Sequence, residues 1–172
     1  MSYTFNRSFP NTRLRRLRYN DNIRAMVQET SLEPKHLIAP VFVLDGHNQR
    51  QAVASMPGVE RLSIDLLIEH AKALLSLGVT TIDLFPVIDP SLKSLHAEHA
   101  YDENGLACRA IKAIKDALPD MVVMTDVALD PYTSHGQDGI VDHNGYVMND
   151  VTVEILAKQA LSHARAGADI IS

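Results

Sequence analysis

The sequence predicts an α/β fold built on parallel strands, and three observations carry that expectation. Apolar runs rich in branched residues lie at 37–44, 80–88, 121–129 and 168–172, and short runs of this kind read as buried strands. They recur at intervals of roughly 40 residues, each with a helix or room for one, and such links join parallel strands. The polar residues gather in loops after the strands, and DGHNQ, DPSLK and DPYTS contain no glycine-rich phosphate turn. That pattern favours a (β/α)8 TIM barrel, with its chemistry at the carboxyl ends of the strands, over an open doubly wound sheet. A closed barrel takes about 250 residues, so the 172 present are expected to form its first half, ending inside the fourth strand.

Each element has its own justification. Asn20 or Asp21 caps a short helix with Ile23, Met26 and Val27 on one face. LIAPVFVL (37–44) is the first strand, although Pro40 cannot donate to a ladder. After a Pro57-Gly58 turn, Ser63 caps a helix whose Ile64, Leu67, Ile68, Ala71, Leu74 and Leu75 recur at helical spacing until Gly78. TTIDLFPVI (80–88) is the second strand, a helix covers 106–118, and MVVMTDVAL (121–129) is the third. In the long loop 130–150, Asn144-Gly145 signals a type I′ hairpin. Asn149 or Asp150 caps the next helix, and ADIIS begins the fourth strand.

Charge is unevenly placed on this chain of net charge −5. Residues 1–24 hold six arginines against Asp21, a net of +5, while the other 148 hold ten basic and twenty acidic side chains. A basic arm on an acidic body suits docking on an acidic neighbouring subunit. A nucleic-acid tail or a transit peptide is the other reading. RLRRLR (13–18) has no aromatic for base stacking, so nucleic acid is not expected as a partner. No apolar run approaches the roughly 20 residues that span a bilayer, so no membrane is expected either. One cysteine, Cys108, excludes an internal disulfide and fits a reducing compartment, with the cytoplasm expected and a plastid left open. Cys108 falls on a helix and reads as packing.

TDVALDPYTSHGQDG carries the candidate chemistry. Asp126 lies within an apolar strand, a costly place for a charge without a partner. Asp130 opens the loop and Asp138 follows a turn at Gly136, so a reversal could bring the carboxylates to one mouth. Their oxygens suit Mg²⁺ or another hard cation, whereas zinc prefers sulfur or imidazole. Asp130 and Asp138 also serve as ordinary turn residues. His135 reads as a loop hydrogen-bonding residue, and His96 and His99 as a solvated stretch. An open α/β module holding a divalent ion without catalysis is the alternative reading.

TDVALDPYTSHGQDG resembles the metal loop of the porphobilinogen synthase (δ-aminolevulinic acid dehydratase) family. RLRRLR, LIAPVFV, SMPGVERLS, LFPVI and IKAIKDALPDMVVMTDVALDPYTSHG resemble it in the same order. The resemblance implies a lyase of heme and porphyrin biosynthesis that condenses two 5-aminolevulinate molecules into porphobilinogen. It implies Asp126 lining the active site, with Ala128, Asp130 and Asp138 at the positions of three zinc-binding cysteines. Zinc is then not expected, and the chain resembles the cysteine-free, magnesium-responsive branch, with a monovalent ion at the loop as the alternative. Tyr132, Ser134 and His135 match the signature in supporting roles. The family's Schiff-base lysines are expected beyond residue 172, so this chain alone is expected to be inactive. An arm over 1–33 is expected to wrap a neighbouring subunit and help build a homo-octamer. Residues 34–172 are expected to be the N-terminal half of the catalytic barrel.

Overall fold

The computed structural model describes residues 8–172, and the chain divides into two compact units, Met1–Glu33 and Pro34–Ser172. Arg7, counted above in the basic arm, lies outside the described residues. In the first unit Asn20 caps helix α1 (Asp21–Val27): its side-chain oxygen accepts from the Ile23 N–H at 2.9 Å. That satisfies one of the amides a helix start leaves without an acceptor. Leu14, Tyr19, Met26 and Leu32 are each at least 75% exposed.

The second unit is one six-stranded sheet with helices. In chain order it runs β1 (Ile38–Leu44), β2 (Arg50–Ala52), β3 (Glu60–Ser63), α2 (Ile64–Ser76), β4 (Thr81–Pro86) and α3 (Leu106–Ala117). β5 (Val122–Thr125), α4 (Asn149–Ala166) and β6 (Ile170–Ile171) complete it. β1, β4, β5 and β6 are parallel neighbours in that order. Along this series each strand joins the outer edge of the one before, while β2 and β3 lie on the opposite edge of β1. Val41, Val43, Ile82, Leu84 and Val123 are buried in one core with Leu67, Ala71, Ile111 and Ile114 of the helices. The alternate residues Phe42, Asp83, Phe85 and Met124 are only partly covered, as a strand's period of two requires when helices lie on one side. This is the expected partial barrel, with helices outside and a second face turned inward.

Several expectations need correction. Residues 50–63 hold more than a turn: β2 pairs antiparallel with β3, and β3 lies parallel to β1 along Phe42–Leu44. Polar, exposed β2 has no apolar run to announce it. Pro40 sits inside β1 after all, because β3 stops short of it and leaves that edge of β1 without a strand. The third strand ends at Thr125, so Asp126 stands just past its end and not within it. Helix α4 begins at Asn149, with Met148 as its cap. The hairpin is not type I′, which needs positive φ at both central residues. Only Gly145 is left-handed, at φ 80°, and Asn144 is not. Gly145 N–H donates to the Asp142 carbonyl, while the Asp142 carboxylate accepts from Asn144 and Tyr146 N–H. The aspartate, not the Asn-Gly pair, organises this loop.

At the amino ends of the strands, Asp169 just before β6 accepts from the Val123 N–H at 2.8 Å and from Lys115 Nζ at 2.9 Å. Burial alone would raise its pKa, but these two partners more than offset it and hold the carboxyl below its ordinary value.

Candidate active site

The carboxyl ends of β1, β4 and β5 open on a cavity of about 390 Å³. Phe42 and Phe85, whose ring centroids lie 5.7 Å apart, form its apolar side. Asp126 and Asp130 line it from beyond β5, and Arg61 of β3 and Lys93 of the loop after β4 also line it. Two rim loops are stitched together: Ser94 N–H donates to the Tyr132 carbonyl at 3.1 Å and Ser134 N–H to the Ser94 carbonyl at 2.9 Å. That stitch fixes the segment beside Lys93 against the loop of Asp130.

The acidic loop is compact by its own hydrogen bonds. Tyr132 and Thr133 N–H both donate to the Leu129 carbonyl, and the Thr133 hydroxyl donates to the Gln137 carbonyl. One oxygen of Asp138 accepts from the Leu129 N–H at 2.7 Å, closing the loop on itself. Behind it, Gly139 is required: a Cβ there would stand 2.6 Å from Val147 Cγ1 and 3.2 Å from Thr152 Oγ1. The same Thr152 hydroxyl oxygen accepts from the Ile140 N–H.

Electrostatically the mouth is unsettled. Burial first, then the charges of Asp130 and Asp138, push the Asp126 carboxyl above its ordinary value. Asp83, on the inward face of β4, is raised by burial and then by the Asp126 charge, and its Oδ1 is buried with no partner. Neither Arg61 nor Lys93 forms an ion pair among the described residues. Carboxyls of raised pKa, two cations without an ion pair (Arg61 donates from Nη1 to Gln51 Oε1 at 3.1 Å) and an aromatic wall suit a small polar molecule carrying both charges and a carbonyl. Its raised pKa makes Asp126 a stronger base than an ordinary carboxylate.

Of the sequence-derived candidates, Asp126 and Asp130 share the cavity. Asp138 faces their loop through Leu129, and its charge is still felt at Asp126. His135 has the expected loop role, its Nδ1 accepting from the Gln137 N–H at 3.1 Å. Buried Tyr132 has its phenol pKa raised by burial. His96 is exposed, His99 lies 3.8 Å from Asp102, and buried Cys108 packs on α3 with its Sγ 3.6 Å from the Ser162 carbonyl. Arg61, Lys93 and Asp83 were missed. An acid in the middle of TIDLF was the available signal for Asp83; Arg61 sits on a strand with no apolar pattern.

The comparisons agree with one another. The family model described as delta-aminolevulinic acid dehydratase matches residues 11–172. The delta-aminolevulinic acid dehydratase of Bradyrhizobium diazoefficiens is 47% identical over 160 residues, covering 93% of this chain and 45% of the relative. The chloroplastic enzyme of Oryza sativa is 47% identical over 162 residues, covering 93% and 38%. The crystal structure of the Toxoplasma gondii enzyme (porphobilinogen synthase), in complex with the reaction product porphobilinogen, superposes with a TM-score of 0.89 at 46% identity. It covers 93% of this chain and 46% of that one. The chain thus spans about half or less of the length of these relatives.

Proposed function

The chain belongs to the δ-aminolevulinic acid dehydratase family, and from that premise we propose that the protein condenses two 5-aminolevulinate molecules into porphobilinogen. The observation that carries this reading is the mixed-charge rim cavity, lined by Asp126 and Asp130 together with Arg61, Lys93 and two phenylalanine rings. The substrate has a carboxylate for the cations, an ammonium for the acids and a ketone between them. Asp126 moves protons during the carbon–nitrogen bond-forming and water-losing steps, for which its raised pKa suits it. The nucleophilic amines are assigned to the part of the relatives that this chain does not span. Four of the six lysines here lie on helices, Lys35 precedes β1, and Lys93 stands at the cavity mouth. The test is porphobilinogen formation from 5-aminolevulinate by the full-length protein. No product from correctly folded protein defeats the reading.

Asp130 and Asp138 are assigned to Mg²⁺. A hard cation takes carboxylate oxygens, and Mg²⁺ keeps several waters and needs only one or two carboxylates. Among the described residues no three His, Cys, Asp or Glu side chains converge, so the donors suit a hydrated ion better than a zinc cage. When bound, the ion neutralises carboxylate charge around Asp126. Added Mg²⁺ should raise the melting temperature of the chelator-treated protein, and Asp130→Asn should remove that rise. An equal rise with K⁺ alone would instead assign a monovalent ion.

The basic arm, with its exposed Leu14, Tyr19 and Met26, supports a role in joining copies of the chain into an octamer. Deleting residues 1–24 from the full-length protein should shift sedimentation to smaller species, and an unchanged octamer rejects this. The single cysteine supports a cytoplasmic site. Among the described residues no helix is long and apolar enough to cross a membrane. Fractionation of cells expressing a tagged copy checks the assignment.

A further inference from the structure

Helix α4 turns an unusually polar face toward the acidic loop. Gln159 and His163, one turn apart, are each 1% exposed, deeper than most of the helix's apolar residues. Gln159 Nε2 donates to the Ala128 carbonyl at 3.1 Å. His163 Nδ1 lies 3.1 Å from the hydroxyl of Thr125, itself 1% exposed at the end of β5. The two helix residues therefore grip the chain on both sides of Asp126, at Thr125 before it and at Ala128 after it. Each also has one buried atom without a partner, Gln159 Oε1 and His163 Nε2. Buried polar atoms are rarely left so, and each orphan is costly.

The orphans are complementary. Burial holds His163 neutral, its pKa lowered to about 4, so one ring nitrogen donates and the other accepts. If the Thr125 hydroxyl donates to Nδ1, the proton is on Nε2, and the amide oxygen of Gln159 is the acceptor one helical turn away.

We propose that Thr125, His163, Gln159 and the Ala128 carbonyl form one hydrogen-bonded brace, joined between His163 Nε2–H and Gln159 Oε1 directly or across one bound water, which positions Asp126 at the cavity. This rests on the reading of Asp126 as the proton-moving group and names three positioning residues for that reaction. None of the three touches the cavity, so each acts through the loop backbone.

The test is a double-mutant cycle in the full-length protein with porphobilinogen formation as readout. Thr125→Val keeps the shape of the side chain and removes the hydroxyl; Gln159→Leu removes both polar ends of the brace. Each should lower kcat by about tenfold or more, the usual scale for a partner behind the reacting groups. As parts of one brace, the two together should cost no more than the worse single change, and Thr125→Ser should restore activity. Multiplying effects, or no rescue by serine, overturns the brace. A second measurement needs no activity. The ¹⁵N spectrum of histidine-labelled protein should show His163 as the Nε2–H tautomer, with its Nε2 signal displaced in Gln159→Leu. The Nδ1–H tautomer, or no displacement, overturns it even if a variant folds poorly. Wild-type protein without activity but with these ¹⁵N signals would count against the proposed reaction while leaving the brace standing.

Discussion

The amino and carboxyl ends of the parallel strands both carry aspartates and treat them in opposite ways. At the amino ends, Asp169 is satisfied by a backbone amide and a lysine, and its pKa is lowered. Toward the carboxyl ends, Asp126 just past β5 and Asp83 on the inward face of β4 have no cation bonded to them among the described residues, and their pKa values are raised. One end stabilises the sheet. The other stores electrostatic tension where the cavity opens, the division of labour expected of a β/α barrel. A charge with all its partners in place has nothing left to offer a substrate; one without them does.

That contrast can be broken at either end. The largest effect is expected from Asp126→Asn in the full-length protein, which should lower porphobilinogen formation about 100-fold or more with little change in melting temperature. Near-normal turnover would remove Asp126 from the chemistry. Gly139→Ala should destabilise by about 2 kcal/mol in chemical denaturation, since the new methyl meets Val147 and Thr152 where little can yield. A neutral outcome would show that this part of the loop is looser than described.

Asp169→Asn should cost about 1 kcal/mol at pH 7, a modest figure because the pair is partly solvent-exposed. The sign follows from its lowered pKa. Its contribution is present above the unfolded value near 3.8 and is lost as pH falls through the lower folded value. The variant and wild type should therefore converge in strong acid. Asp83→Asn should do the reverse on a smaller scale, stabilising at pH 7 by roughly 1 kcal/mol or less. A raised carboxyl contributes below about 3.8 and loses that contribution as pH rises through its folded value. Here the benefit of the substitution should disappear on acidification. Destabilisation by Asp83→Asn at pH 7 would mean that Asp83 has a partner.

How much of this was legible depended on whether a residue's role was local. The order of β1, β4, β5 and β6 could be read because buried strands need continuous apolar runs. Helices α2 and α3 could be read because their core residues recur at helical spacing. The loop of Asp126, Asp130 and Asp138 stood out because acids beside an apolar strand demand explanation. Arg61 and Lys93 reach the cavity, and Asp83 feels the charge of Asp126, only through pairing of distant segments, and polar β2 and β3 offered no pattern from which to foresee it. The Asn144-Gly145 signal misled because the Asp142 carboxylate captured the same amides by another geometry. Gln159 and His163 read as ordinary helix residues until α4 was laid against β5.

The most direct test is to follow the carboxyl ¹³C shifts of Asp126 and Asp169 through a pH titration of the full-length protein, assigning each by its Asn variant. The account predicts a midpoint for Asp126 above 3.8 and one for Asp169 below it. Coincident midpoints, or the reverse order, would contradict it.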